Sequence, residues 1–430
     1  MSQQPIQPAS DRSRSRSRRK QRSGVQRRLL GALVSIGVIG ASVAAVVAWS
    51  GAGTPSRIPD DGVGAASASA SGANATGADR ASDRKLRFGL AFGDRLTWMT
   101  DTELTKAMDD AKELGVGWLR VDLSWRNIQP DSSTQYLWER FDRVVDAAHA
   151  HGLEVLPTIS YTPRWAAAPD CGSTAQACPP ADDAQFAEFA RHAVERYAPK
   201  GVHTWEIWNE PNILPFWKTG PDAERYTALL AATAPAMRSA DPKAYLLFGG
   251  LAAVDTIPSK GYVSHKTFLS EVARLGALKY VDAISYHPYT YPLLPSTETA
   301  TGTRYEDIDR TQDSLVATLT KYGKPKMPIW ITETGAPTWA QGKVADSPDA
   351  VGTQYVTPRL QAEIATDTVP AAAAIPSVDV MFWFAYQDGE PETATSRKAQ
   401  HYGLKYYDGT RKPAFEALRK AIAAYRKDHD

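Results

Sequence analysis

The chain has 430 residues and balances 49 Lys and Arg against 48 Asp and Glu, a net charge of +1. The near-neutral sum hides a basic start. Residues 1–28 hold nine Lys/Arg and one Asp, so the rest is mildly acidic, which excludes a nucleic-acid partner for the body. The two cysteines, Cys171 and Cys178, have no nearby histidine or third thiol, which excludes a cysteine-type metal site.

In chain order, 1–28 reads as a basic cytoplasmic tail with arginines flanking a membrane segment. Residues 29–49 contain no charged side chain over 21 positions, long enough to cross a hydrocarbon core as a helix. The basic flank orients such a helix with the C-terminal body outside. A signal-anchor is the expectation, with a cleaved signal peptide as the alternative. Both export the body, to the cell surface or into the medium. Residues 50–84, rich in Gly, Ala and Ser, read as a flexible tether. Outside the cell, Cys171 and Cys178 are expected to form a local disulfide in a Gly/Ser/Pro-rich loop.

From residue 85 to 430, strands and helices alternate. Strands are predicted at Arg87–Gly93, Trp118–Trp125, Leu153–Ser160, Thr204–Glu210, Tyr245–Leu251, Ala283–Tyr289, Ile329–Thr334 and Val380–Tyr386. Helices are predicted near 100–115, where Thr100 and Glu103 form a capping box, and at Glu139–Ala150, Ala184–Tyr197 and Ala223–Ser239. The later ones are Lys266–Leu275, Thr311–Tyr322, Thr353–Thr368 and Ala414–Arg426. Alternation of this kind implies parallel strands joined by right-handed crossovers, and eight repeats imply closure into a (β/α)8 TIM barrel. No Gly-x-Gly-x-x-Gly follows the first strand, which weighs against an open dinucleotide-binding sheet.

Two predicted strands end on a glutamate: Glu210 in Trp208-Asn209-Glu210-Pro211-Asn212 and Glu333 in Trp330-Ile331-Thr332-Glu333-Thr334-Gly335. In such barrels, functional groups sit at the C-terminal ends of strands. The other strand ends carry Arg120 and Asp122, Tyr161 and Trp165, Asn209, His287 and Tyr289, and Trp383. Glycosidic cleavage needs one carboxylic acid to protonate the leaving oxygen and one carboxylate to attack carbon or activate water. Indoles stack on sugar rings, while amides and imidazoles bond hydroxyls. Glu206, deeper on the Glu210 strand, reads as a barrel-interior partner. Asp122 reads as a supporting hydrogen bonder.

These motifs, with Gly117-Trp118-Leu119-Arg120-Val121-Asp122, Tyr161-Thr162-Pro163-Arg164-Trp165 and Ser285-Tyr286-His287-Pro288-Tyr289, resemble the clan of retaining glycoside hydrolases with catalytic glutamates on strands four and seven. The likeness is greatest to family 39 and its cellulase-like, family 5-like relatives. It implies Glu210 as acid/base and Glu333 as nucleophile. It further implies that Asn209 bonds the 2-hydroxyl, Arg120 holds Glu333 ionised, His287 and Tyr289 orient the site, and Trp383 floors the subsite. Tyr161 and Trp165 complete the expected substrate contacts. The expectation is a monomeric hydrolase of β-linked polysaccharide or oligosaccharide that needs no metal or organic cofactor. A non-catalytic glycan-binding module on the same fold and a transglycosylase are the alternatives.

Overall fold

The computed structural model describes residues 85–429 apart from 173–176, 340–343, 351–352 and 394–395. The basic tail, the apolar stretch 29–49 and the tether 50–84 lie outside the described residues. Among the described residues, no helix is long and apolar enough to cross a membrane.

Eight parallel strands close in sequence order: β1 (Arg87–Ala91), β2 (Trp118–Ser124), β3 (Glu154–Ser160), β4 (Thr204–Asn209), β5 (Tyr245–Ala252), β6 (Ala283–His287), β7 (Ile329–Thr334) and β8 (Val378–Phe384), with β8 pairing back to β1. The principal helices between them are α1 (Asp101–Leu114), α2 (Glu139–Ala150), α3 (Asp183–Tyr197), α4 (Ala223–Ala240), α5 (His265–Arg274), α6 (Leu315–Lys321), α7 (Pro358–Ala373) and α8 (Pro413–His429). This is the predicted (β/α)8 barrel.

Local chemistry explains the boundaries. Glu103 N–H donates to the Thr100 hydroxyl while the Glu103 carboxylate accepts from Thr100 N–H, and Gly115 at φ 80 ends α1. Two helices depart from their predicted spans. Ser314 caps the start of α6, which forms only over Leu315–Lys321. Helix α7 begins at Pro358 behind a Thr357 cap and runs through Pro370 to Ala373, five residues beyond the predicted end. A proline at the first helical position needs no N–H partner.

Apolar residues fill the barrel from below. Trp118 and Trp330 meet edge-to-face at 5.3 Å, with Phe382 and Val380 beside them. A second apolar layer lies between the strands and the helices. The base is thus sealed, and polar inward groups are left to the C-terminal end of the strands. The expected disulfide joins Cys171 to Cys178, whose Cα atoms are 6.0 Å apart.

Candidate active site

A small pocket opens at the C-terminal end of the barrel, lined by Gly93, Asp122, Tyr161, Asn209, Glu210, Phe216, Glu333 and Phe384. Both strand-end glutamates are therefore on one rim. A carboxylate oxygen of Glu210, one of Glu333 and a ring nitrogen of His287 all lie within 4.8 Å of one another.

Strand β4 reaches this arrangement through a backbone irregularity. Trp208 has φ 75, in the left-handed region. Ile207 and Trp208 both face the outer core, where Trp208 packs on Trp217 at 5.3 Å and donates its indole N–H to the Phe216 carbonyl at 2.8 Å. Asn209 and Glu210 then both enter the pocket. Strict alternation would have sent one of them outward. A non-glycine residue in this region costs roughly 1 kcal/mol or more and persists where packing fixes it.

Beneath the pocket lies a buried charge network. Arg120 donates from Nε to Glu206 at 2.7 Å, from Nη1 to Glu333 at 2.6 Å, and from Nη2 to the Asn209 side-chain oxygen at 2.7 Å. Asn209 therefore presents its remaining NH2 group to a ligand. Thr158 donates to Glu206 Oε2 at 2.7 Å and Thr332 donates to Oε1 at 3.1 Å. Glu206 was expected as an interior partner and is one. Tyr289 donates to the second oxygen of Glu333 at 2.7 Å. Burial holds that phenol well above its ordinary pKa, which keeps it a donor.

His287 links the two halves of the site. It is fully buried, with Nδ1 2.9 Å from Glu210 Oε1 and Nε2 3.0 Å from the Thr332 hydroxyl. Gly250 makes room for it, since a Cβ there would stand 2.1 Å from Nε2. Burial lowers the ring's pKa, so it is neutral and carries one N–H. Thr332 is the donor that reaches Glu206 Oε1, so its oxygen accepts from His287 Nε2–H. The ring then offers the Nδ1 lone pair to Glu210, whose carboxyl must supply the hydrogen.

The two glutamates are consequently unequal. Burial pushes both pKa values up. Each Glu333 oxygen accepts a hydrogen bond from a donor, Arg120 or Tyr289. Glu210 Oε2 has no partner among the described residues. Two buried carboxyls this close share a proton, and this geometry leaves it on Glu210.

Several expected contacts need correction. Trp383 does not floor the pocket. Its side chain is fully buried in the layer between barrel and helices, while Val380, Phe382 and Phe384 point inward. Phe384 holds the position expected of Trp383, because successive strand residues face opposite ways. Trp165 is also outside the pocket lining. It packs edge-on to Trp125 at 5.6 Å and donates to the Gln129 carbonyl at 2.8 Å. Arg120 and His287, expected to hold Glu333 ionised and to orient the site, are buried behind Glu333 and Glu210, where they bond those carboxyls and do not line the pocket. Tyr161 and Asn209 do line the pocket. Thr332 and Phe384 escaped notice in the sequence, although counting in twos from Val380 singles out Phe384.

Glu210, His287 and Glu333 are also a donor set of the kind a divalent cation uses. In this arrangement, however, Nδ1 is engaged by Glu210, and Arg120 and Tyr289 engage both Glu333 oxygens, which leaves only Glu210 Oε2 without a partner among the described residues.

Residues 79–359 match the sequence family described as Cellulase (glycosyl hydrolase family 5). The chain belongs to this family. Within curated proteins, the family 5 chain is 31% identical over 148 residues to a β-xylosidase of Geobacillus stearothermophilus. The match covers 32% of this chain and 29% of that one, so the chain spans under a third of that relative's length. Among solved structures, it resembles a family 39 glycoside hydrolase from the gut symbiont Bacteroides cellulosilyticus (TM-score 0.58, 20% identity, 79% of this chain and 64% of that one). It also resembles GH5_18 from Streptomyces cattleya in complex with GlcNAc (TM-score 0.59, 19% identity, 80% and 81%). At these identities the structural matches establish the shared barrel of the family 5 chain.

Proposed function

We propose that the protein is a retaining glycoside hydrolase of β-linked oligosaccharide or polysaccharide, with Glu333 as nucleophile and Glu210 as acid/base. The observation that carries this reading is the pair of carboxylate oxygens within 4.8 Å on one pocket rim. Retaining enzymes hold their carboxyls about 5–5.5 Å apart, whereas inverting enzymes need about 6.5–9.5 Å to admit a water.

The division of roles follows from the hydrogen bonds. Glu333, fixed through both oxygens, attacks the anomeric carbon with little freedom to turn away. Glu210 keeps its proton against the His287 lone pair until the glycosidic oxygen competes for it. After the aglycone leaves, the same carboxylate takes a proton from water, which releases the sugar from Glu333. Asn209 donates its amide to the ring hydroxyl beside the reacting carbon. Phe384 and Phe216 supply apolar walls for the sugar faces. Export through residues 29–49 places this chemistry outside the cell, on envelope or environmental glycan.

Replacing Glu333 by Ala tests the nucleophile. On a substrate found by screening defined β-linked glycans, turnover is expected to fall on the order of 10⁴-fold or more. Added azide should restore part of it as a glycosyl azide of opposite anomeric configuration. Undiminished turnover in the variant would remove Glu333 from the chemistry, and wild-type protein that binds glycans without cleaving any would favour a binding module.

A further inference from the structure

The double displacement uses two acids, but the pocket holds a third. Asp122 lies two residues beyond Arg120 on β2, on the same inward face and one layer nearer the rim. It lines the pocket beside Glu210 and Glu333 and is only partly buried. Among the described residues, no hydrogen bond reaches its carboxylate. Its surroundings keep that carboxylate open. The Asp122 N–H donates to the Gly93 carbonyl at 3.0 Å, and a Cβ at position 93 would stand 3.8 Å from Oδ2. The absent side chain of Gly93 leaves this side of the pocket to a ligand.

Structural carboxylates elsewhere in the barrel look different. Asp110 accepts from Lys405, Arg411 and Tyr386, and Asp388 accepts from Lys412 and the Gly403 N–H. Asp122 has no such partner, and its nearest acidic neighbours are unfavourable. Burial pushes its pKa up to about 7; Arg120 opposes the rise, while Asp94 and Glu333 add to it. A carboxylate held in this way lowers stability and has no structural bond to offset the cost. In the same pocket, Glu210 Oε2 is also without a partner and is almost completely buried. Of the two, the partly exposed Asp122 is the one open to hydrogen-bond donors from a ligand.

We infer that Asp122 anchors the sugar of the central subsite by accepting hydrogen bonds from its hydroxyls, and that it restricts the site to non-anionic sugars. The inference rests on the hydrolase reading. Among the described residues, no cation lines the pocket. The nearest guanidinium, Arg120, is already bonded to Glu206, Glu333 and Asn209. The carboxylate of a uronic acid would therefore meet Asp122 with no counter-charge, whereas a neutral sugar offers the hydroxyl donors that this wall lacks. Tyr161, beside Asp122 in the pocket, supplies a phenol that can give or take a hydrogen bond.

The test uses matched 4-methylumbelliferyl β-glycosides and β-linked oligosaccharides of xylose, glucose, galactose, mannose, N-acetylglucosamine and glucuronic acid. For the best neutral substrate, Asp122→Asn and Asp122→Ala should lower kcat/KM about 10- to 100-fold, the range expected for lost charge-assisted hydrogen bonds. Removing the contacted hydroxyl from the sugar should cost the wild type similarly but cost Asp122→Ala little. The glucuronide should not be cleaved. A kcat/KM for Asp122→Ala within about twofold of wild type, or a glucuronide cleaved as fast as its neutral counterpart, would overturn the inference while leaving the hydrolase reading in place. Wild-type protein inert on every glycan removes that reading and this one together.

Discussion

Arg120 and Glu333 are joined across the barrel by a 2.6 Å ion pair whose side chains are 1% and 6% exposed. The same guanidinium bonds Glu206 and Asn209, so one side chain fixes Glu333, the proposed nucleophile, together with the interior carboxylate and the pocket amide. Arginine suits this task because its planar fork reaches three acceptors at once, which the point charge of lysine cannot do.

Arg120→Lys should therefore be costly despite keeping the charge. Breaking a buried pair destabilises by about 3–5 kcal/mol, so the thermal midpoint should fall by several degrees. Turnover should fall as well, because Glu333 loses its orientation. A variant with unchanged midpoint and unchanged kcat would show that the network is not what holds Glu333.

Thr332→Val removes the hydroxyl that accepts from His287 Nε2–H. The ring is then free to move its hydrogen to Nδ1 and donate to Glu210, which favours the ionised carboxyl. The alkaline limb of the kcat/KM profile, where the acid loses its proton, should shift to lower pH, with the acidic limb less affected. A profile that only falls in height would assign Thr332 to packing alone.

Asp94 and Asp122 make stability depend on pH in an unusual direction. Burial raises their pKa values from 3.8 to about 6 and about 7. The unfolded chain ionises first, so the stability associated with these groups is complete below pH 3.8 and is lost as pH rises through 6 and 7. Asp122→Asn should have a higher thermal midpoint than wild type at pH 8 and the same midpoint near pH 3.5. Equal midpoints at pH 8 would mean that the carboxylate is better accommodated than its surroundings imply.

Phe384 and Trp383 are adjacent but face opposite ways. Phe384→Ala should raise KM with modest loss of stability, since Phe384 borders the pocket. Trp383→Phe should lower the thermal midpoint by opening a cavity in the outer layer, at an expected cost of about 1–3 kcal/mol, with KM nearly unchanged. The reverse pattern would restore Trp383 as the residue that meets the sugar.

Much of this was legible in the chain. Alternating apolar runs and capped helices gave the barrel, and an acid placed directly before Pro211 or Thr334-Gly335 marked the strand ends that form the rim. The misreadings share a physical origin. An indole suits a sugar face better than a phenyl ring, which favours Trp383, but strand parity decides direction and points Phe384 inward. Asn209 and Glu210 share the pocket where Trp208 and Glu210 both adopt left-handed conformations, an interruption with no glycine to announce it. The role of Thr332 depends on a hydrogen-bond chain from Glu206 on β4 through His287 on β6 to Glu210, groups far apart in sequence. Long helices were located within a few residues, whereas α7 ran past Pro370 because tertiary packing outweighs local propensity.

Glu210 and Glu333 bring carboxylate oxygens within 4.8 Å of each other, and the anomer released first reports on that separation most directly. Proton NMR of a β-linked substrate during the initial minutes of hydrolysis, before mutarotation, should show the β-anomer accumulating ahead of the α-anomer. An α-anomer appearing first would require a water between Glu210 and Glu333, in contradiction to the proposal that Glu333 attacks directly.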